Sequence, residues 1–415
     1  MSVSYGVLST YPPTQCGLAT FSAALVAHLA SPEDRVGVVA VVDATQARPR
    51  PEVTHQWVRG DVAGAARAAA ALDSFDVVVL QHEYGIYGGA DGADVLAVAR
   101  ALRVPLIVVL HTVLVTPSDH QRAILEELGR LSATLVTMSR TARDRLVEHY
   151  AVDPRAVRVI PHGAPAEVRA PVEAVDGLPA ASRPSRPAAP VVLTWGLLGE
   201  GKGIEWAIDA MAQLSDLRPA PVYRVVGQTH PKVLEQHGES YRESLRARAR
   251  DLGVESAVQF DARYLDRSEL QREVREAAVV LLPYDSREQV TSGVLIEAVA
   301  AGRPVVSTGF PHARELLASG AGLVVRRQDP GAIAAALRRV LTEPALAAGM
   351  AAEARRLAPA LLWSAVADQY RAIATDALMA ADTLLADEAG LADAAVLAAG
   401  PAAAALMADA ELATA

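Results

Sequence analysis

Histidine side chains stand at three junctions in the first half of the chain, each directly after an apolar run typical of a buried strand. His82 and Glu83 follow one run, His111 and Thr112 follow the next, and His162 follows a third. The carboxyl ends of parallel strands share one edge of a sheet, and ligands bind beyond that edge. These five side chains are therefore candidates for lining a cleft that holds a polar acceptor. Their spacing lacks the HExxH pattern, so zinc is not expected.

A lysine between two glycines is the clearest anion-binding feature of the second half. Gly201, Lys202 and Gly203 follow an apolar run that ends at Gly196. Glycines let a ligand approach the backbone, and an ammonium group offers a point charge to phosphate. The Walker A spacing is absent. On its own this loop is equally compatible with an ordinary turn that carries a solvated lysine.

The stretch "QVTSGVLIEAVAAGRPVV" (289–306) predicts a loop, a helix, a tight turn and a strand. Ser292 and Gly293 are residue types that begin helices, and Gly302 ends one. The free N–H groups of a helix start favour phosphate. Gly17, in "LSTYPPTQCGLATF" (8–21), marks a similar order of strand, loop and helix, although a single glycine also fits a plain turn.

Two series of alternating strands and helices organise the chain and predict an α/β fold with two doubly wound domains. The predicted strands are 4–9, 36–42, 76–81, 105–111, 134–139 and 157–161, then 191–196, 222–227, 257–260, 278–284, 304–308 and 322–325. The run 105–111 is the most apolar and is expected to be the most central strand. A Pro-, Ala- and Ser-rich segment at 171–190 reads as a linker. We expect domains over 1–185 and 186–360, a helix near 363–378, and an Ala-rich acidic tail over 379–415.

Composition limits the function further. The net charge of −9 argues against a nucleic-acid-binding protein, and a single cysteine, Cys16, excludes an intrachain disulfide framework. No signal peptide is evident, and no apolar stretch is long enough to span a membrane. A cytoplasmic location is the default expectation, with peripheral membrane contact left open.

In combination, these motifs resemble the retaining glycosyltransferase family 4, which has the GT-B fold of two Rossmann-like domains facing a deep cleft. The residues that carry the resemblance are "IEAVAAGRPVV" (296–306), "GKG" (201–203) and "VIPHG" (159–163), and it covers about residues 3–375. It implies a donor site built from Gly17, Gly196, Lys202, Gln289, Ser292, Gly293, Val294, Leu295 and Glu297. It further implies that Glu297 binds ribose, that His111 contacts the transferred sugar, and that the helix near 363–378 crosses back onto the first domain.

Two positions depart from the family pattern. Gln289 stands where the family's Glu-x7-Glu motif has its first glutamate, and Leu197 follows Gly196 where the family has an arginine. An amide still accepts a hydrogen bond and gains donors, so it can bind sugar hydroxyls. The leucine removes a cation, so Lys202 and the helix amides near Ser292 must suffice, or another arginine must substitute.

The resemblance implies a retaining enzyme that transfers a hexose from a nucleotide-diphosphate sugar to a hydroxyl acceptor, without a metal or other cofactor. A likeness to a narrower bacterial group, through "QHEYGIYGG" (81–89) and "LHTVLVTPS" (110–118), favours GDP-mannose as donor. UDP-glucose and UDP-GlcNAc remain alternatives. The sequence does not identify the acceptor, and a soluble sugar, a natural product and a lipid head group are all left open. A disaccharide phosphorylase of the same fold and a non-catalytic sugar-nucleotide-binding protein are the rival interpretations.

Overall fold

The computed structural model describes residues 2–166 and 189–383. Most of the predicted linker at 171–190 and the tail beyond 383 lie outside the described residues. The described part contains two parallel β-sheets with helices between their strands, which confirms the predicted α/β class.

Seven parallel strands form the first sheet, in the spatial order β3-β2-β1-β4-β5-β6-β7. They are β1 (Ser4–Ser9), β2 (Arg35–Val42), β3 (Val53–Val58), β4 (Val77–His82), β5 (Leu106–Leu110), β6 (Thr134–Thr137) and β7 (Val157–Val159). The helices between them are α1 (Gly17–Leu29), α2 (Gly64–Leu72), α3 (Val95–Ala101), α4 (Asp119–Leu131) and α5 (Arg140–His149). Both faces of the sheet are covered by apolar clusters, as expected for parallel strands.

Two features of this sheet differ from the prediction. The middle strand is β4, all six residues of which are buried, and β5 lies beside it rather than at the centre. The prediction also omitted β3, whose sequence "VTHQWV" contains polar residues at its centre. β3 is an edge strand and only Trp57 in it is buried, so its sequence lacks the apolar run of an inner strand.

Six parallel strands form the second sheet, in the order β10-β9-β8-β11-β12-β13. They are β8 (Val191–Trp195), β9 (Val222–Val226), β10 (Val258–Asp261), β11 (Val279–Leu282), β12 (Val305–Thr308) and β13 (Gly322–Val325). Their helices are α6 (Ile204–Ala212), α7 (Pro231–His237), α8 (Ser240–Asp251), α9 (Arg267–Glu276), α10 (Gly293–Ala300), α11 (Pro311–Leu316), α12 (Pro330–Thr342) and α13 (Pro344–Leu361). In both sheets the strand order reverses beside the first strand, which creates a crevice at the carboxyl edge.

A last helix, α14, runs from 363 to the end of the described residues at 383. Its buried side chains Trp363, Val366 and Tyr370 belong to the same apolar cluster as residues of β1 and α1. The chain therefore returns to the first sheet after completing the second.

The carboxyl edges of the two sheets face each other across a groove. Ser139, just after β6, donates a hydrogen bond of 2.8 Å to the Val290 carbonyl in the loop after β11. The carboxylate of Glu315 in α11 accepts from the backbone N–H groups of Arg140 and Thr141, at 2.8 and 2.9 Å. These contacts cap the start of α5 with a side chain from the second half of the chain, and so fix the groove's base.

Within the described ranges, no helix is long and apolar enough to cross a membrane.

Candidate active site

The glycine loop after β8 is pressed against the end of β11. Gly203 has a φ of +64°, and a Cβ at this position would collide with the carbonyl oxygen of Pro283. Only glycine fits such a conformation and such an approach without strain. The backbone N–H of Asp285 donates to the Gly201 carbonyl at 2.9 Å, which ties the loop to the segment after β11. Lys202 is thereby placed beside Tyr284.

Lys202 lies in a cavity of about 290 Å³. Its Nζ is 4.5 Å from the centroid of the Tyr284 ring, a cation–π distance, and burial lowers the pKa of this ammonium group. The cavity is lined by Glu200, Gly201, Lys202, Tyr284, Asp285, Ser286 and Gln289. The structure thus brings two of the predicted donor-site residues, Lys202 and Gln289, to one cavity.

The start of α10 faces the same groove. Ser292 is the N-cap, and its hydroxyl accepts from the Leu295 N–H at 3.3 Å. The N–H groups of Gly293 and Val294, in the first turn, have no carbonyl four residues earlier in the helix to bind. A Cβ on Gly293 would lie 2.8 Å from Nε2 of His162, so the glycine lets a side chain from the first half reach the helix start. These two amides can hold an anion.

Glu297 lies one turn further along α10. Its carboxylate is hydrogen-bonded to the Trp195 side chain, and its charge raises the pKa of Tyr284 in addition to the larger effect of burial. Burial raises the pKa of Glu297 itself to about 7, although Trp195 and Arg267 act in the opposite direction. Glu297 as a residue is partly exposed, and a carboxylate can accept hydrogen bonds from the hydroxyl groups of a ligand.

Gln289 is held at the cavity rim by several bonds. Its side-chain amide donates to the Thr291 carbonyl at 3.0 Å, and its backbone N–H donates to the Ser286 hydroxyl at 3.1 Å. Its backbone carbonyl accepts a hydrogen bond from the backbone N–H of His312 at 3.3 Å. One amide proton is thus engaged within the loop, and the side-chain oxygen retains its acceptor capacity.

His111 lies opposite, just after β5, and is neutral. Burial lowers its pKa to about 3, helped by the charges of His162 and His82. Its Nε2 is 2.7 Å from Oε1 of Gln81, so Nε2 carries the proton and Nδ1 is left as an acceptor. A neutral imidazole of this kind contacts a ligand through hydrogen bonds rather than as a proton donor near pH 7.

The other two candidate histidines, His82 and His162, lie close enough to His111 to act on it electrostatically. The ring of Phe21 lies 4.9 Å from the His111 ring and 5.0 Å from the His162 ring, both edge-on. Burial lowers the pKa of His162 and that of His82 to about 4 each. Of the three, His82 is the most deeply buried, as the last residue of β4, and its Nδ1 has no partner among the described residues. Nε2 of Gln81 is likewise buried without a hydrogen-bond partner among the described residues.

Glu83 and Thr112 are brought together at the strand ends. The Thr112 hydroxyl donates to the Glu83 carboxylate at 2.5 Å, and the Tyr84 N–H donates to it at 3.0 Å. Burial raises the pKa of Glu83 in spite of these bonds and of the charge of Lys232. Glu83 and Thr112 thus form a hydrogen-bonded polar pair at the carboxyl edge of the first sheet.

The two remaining glycines serve different purposes. Gly196 has a φ of +121°, so the turn out of β8 favours glycine. Gly17 begins α1 without a positive φ, and a Cβ there would meet no atom within 4 Å. What Gly17 provides is an exposed backbone without a side chain, open to a ligand. The Cys16 thiol caps this helix by accepting from the Ala19 N–H at 3.4 Å.

Sequence reasoning did not select four residues that shape the site: Gln81, Trp195, Tyr284 and His312. His312 is buried and accepts from the Ser292 N–H through Nδ1 at 2.9 Å, which fixes the α10 start. A polar residue in an otherwise apolar strand could have indicated Gln81. Trp195 at the end of β8 and Tyr284 just after β11 had no signal of this kind, because buried aromatic side chains are common in protein cores.

Among the described residues, no three His, Cys, Asp or Glu side chains are arranged to hold a metal ion.

Two family models match this chain. The model described as "Glycosyl transferases group 1" matches residues 189–343, and "Glycosyltransferase Family 4" matches residues 17–168. The D-inositol 3-phosphate glycosyltransferase of Frankia alni is 30% identical over 333 residues, which cover 75% of this chain and 77% of that protein. The enzyme of the same name from Kineococcus radiotolerans is 32% identical over 253 residues, 56% of this chain and 55% of that protein.

Solved structures share the fold at lower identity. Anabaena Alr3699/HepE in complex with UDP and glucose superimposes with a TM-score of 0.69 at 17% identity, covering 90% of this chain and 99% of that one. Sucrose-phosphate synthase from Thermosynechococcus elongatus gives a TM-score of 0.68 at 19% identity, covering 91% and 100%. Together with the sequence matches, these show that the chain belongs to the group 1, family 4 glycosyltransferases and has their GT-B fold.

Proposed function

We propose that the protein is a retaining hexosyltransferase that moves a hexose from a nucleotide-diphosphate sugar, GDP-mannose or a UDP-hexose, to a hydroxyl acceptor. One observation supports this most directly. The Lys202 ammonium lies 4.5 Å from the Tyr284 ring centroid, and the charge of Glu297 acts on the same residue. A cation for diphosphate and a carboxylate for ribose hydroxyls are thus both coupled to one aromatic residue.

In this proposal the departing diphosphate is stabilised by fixed positive groups. Lys202 and the N–H groups of Gly293 and Val294 bind its oxygens as negative charge develops on them. These groups are held in place before the donor binds, by the glycine loop and by the Ser292 cap. The proposal assigns no step to a divalent cation.

The hexose is proposed to lie between Gln289 and His111. Gln289 lines the cavity of Lys202, and His111 offers its Nδ1 lone pair from the first sheet. The acceptor would approach from the first sheet, where Glu83, Thr112 and His162 are partly exposed. His82, a candidate from the sequence, is buried and is not proposed to contact it. A neutral His111 suits a hydroxyl-binding role.

The decisive experiment incubates the protein with GDP-mannose, UDP-glucose and UDP-GlcNAc and measures nucleotide release and sugar transfer to a panel of hydroxyl acceptors. Each reaction is run with and without inorganic phosphate and with and without EDTA. We expect transfer that needs neither phosphate nor metal, and a product whose anomeric configuration, read by NMR, matches the donor's.

The other outcomes identify the rivals. Formation of a sugar phosphate that depends on inorganic phosphate would identify a phosphorylase. Nucleotide binding without turnover of any donor, with any acceptor, would identify a non-catalytic binding protein.

A further inference from the structure

Both lysines of the chain lie beside the same groove. Of its 39 lysine and arginine residues, only Lys202 and Lys232 are lysines. Lys232 is an exposed residue, the second of α7. Its Nζ is 3.8 Å from the position that a Cβ on Gly85 would take, and Gly85 lies in the loop after β4 of the first sheet. Lys232 therefore extends from the second half of the chain across the groove to the first.

The segments that carry the two lysines are bonded to each other. The backbone N–H of Leu198 donates to the Gln228 carbonyl at 2.9 Å, and that of His230 donates to the Leu198 carbonyl at 2.8 Å. The glycine loop that bears Lys202 and the segment that leads to Lys232 are thus adjacent and held in register. Movement of one would disturb the other.

The two ammonium groups act on common neighbours. The pKa of His230 is lowered first by burial and then by the charges of Lys232 and Lys202. Lys232 also counteracts the burial that raises the pKa of Glu83. Within residues 2–166 and 189–383, neither lysine forms an ion pair with a carboxylate within 4.0 Å. Two like charges that act on the same residue favour an anion near both of them.

The cavity of Lys202 needs a second cation if it is to hold a diphosphate. Its lining residues include two carboxylates, Glu200 and Asp285, and a single cation, Lys202. Leu197, next to the turn at Gly196, contributes an aliphatic side chain. In this lining a multiply charged diphosphate would therefore meet more carboxylates than cationic side chains, unless another cation approached it.

We propose that Lys232 is this second cation and binds the donor diphosphate from the first-sheet side of the groove, opposite Lys202. The inference rests on the proposed function and deepens it. A lysine suits the position because its ammonium is a compact charge on a flexible stem, with three donors that can follow a ligand as it enters and leaves. In the free protein the same charge also acts electrostatically on Glu83.

Calorimetry with UDP, GDP, UMP and GMP tests the assignment. Lys232→Met keeps most of the stem and removes the charge, and Arg250→Met, at an exposed position in α8, is a control with the same change in net charge. We expect Lys232→Met to weaken binding of the better diphosphate roughly 10- to 100-fold, as for loss of a charged hydrogen bond. Affinity of Lys232→Met for the corresponding monophosphate should fall much less. Arg250→Met should bind the diphosphate like wild type, and Lys232→Arg should retain part of the diphosphate affinity.

Each other result overturns a distinct statement. If Lys232→Met binds the diphosphate as wild type does, Lys232 is not part of the site, whereas the proposed function stands. If mono- and diphosphate lose affinity equally, or if the melting temperature falls in the variant, Lys232 acts structurally. If wild-type protein binds neither UDP nor GDP, the proposed function itself fails.

Discussion

Replacement of Glu297 by glutamine should stabilise the protein at pH 8 and much less at pH 5. Burial raises the pKa of this carboxyl from its ordinary value of 4.5 to about 7 in the folded protein. The unfolded chain therefore releases its proton at a lower pH than the folded protein does. Wild-type protein loses stability as the pH rises from about 4.5 to about 7, and the loss is constant above that range.

The size of the effect follows from the pKa difference. A difference of about 2.5 units corresponds to about 3.4 kcal/mol at high pH. This is an upper bound, because part of the Glu297 surface is open to solvent, which screens the charge. Between pH 5 and pH 8 the stabilisation by the variant should therefore grow by at most about 2.5 kcal/mol.

Urea unfolding of both proteins at pH 5 and pH 8, followed by circular dichroism, measures this difference. Glu276→Gln, at an exposed position near the end of α9, is the matched control and should show little change at either pH. Affinity for UDP or GDP should move the opposite way, since a charged acceptor of ribose hydroxyls is lost with Glu297. A stabilisation of equal size at both pH values, or none, would refute the claim that ionisation of the buried Glu297 carboxyl destabilises the folded protein.

Three further changes test the site. Lys202→Ala should lower turnover ~10²–10³-fold with a nearly unchanged melting temperature, because a group that stabilises the leaving diphosphate is lost. Steady-state kinetics and a thermal melt measure the two effects. A variant that turns over as fast as wild type would exclude this role for Lys202. Gln289→Glu should lower activity rather than raise it, because an added negative charge about 4 Å from the diphosphate costs up to about 4 kcal/mol before solvent screening. A gain in kcat/KM on the donor panel would contradict this. Gly203→Ala should destabilise the protein by about 1–3 kcal/mol, since its φ of +64° disfavours a side chain and a Cβ would collide with Pro283; equal urea midpoints would show that the glycine loop relaxes freely.

Local patterns predicted most of the elements that build the site. The apolar runs predicted all inner strands of both sheets, and α14 covers the predicted helix at 363–378. The helix start at Ser292 and the turn at Gly302 were readable because cap and stop residues act through their own neighbouring backbone. These signals act between residues close in sequence, so they can be read without knowledge of the tertiary structure.

The edge strand β3 and the true centre of the first sheet were not readable. Strand order depends on which crossover places each strand beside which neighbour, and apolar content alone does not encode it. β4 is central and β5 is its neighbour, although both are equally buried. β3 pairs on one side only, so its sequence needs fewer apolar residues.

The contacts across the groove were decided by the tertiary structure alone. His162 meets Gly293, Lys232 reaches Gly85, and Trp363 packs against Phe21, each pair joining residues far apart in the chain. The sequence by itself determined which side chains were available for chemistry and which strand ends would carry them. Which of these side chains meet depends on how the two sheets face each other. The free energy of such contacts comes from surface buried and charges brought together between distant residues, and no local sequence pattern contains that information.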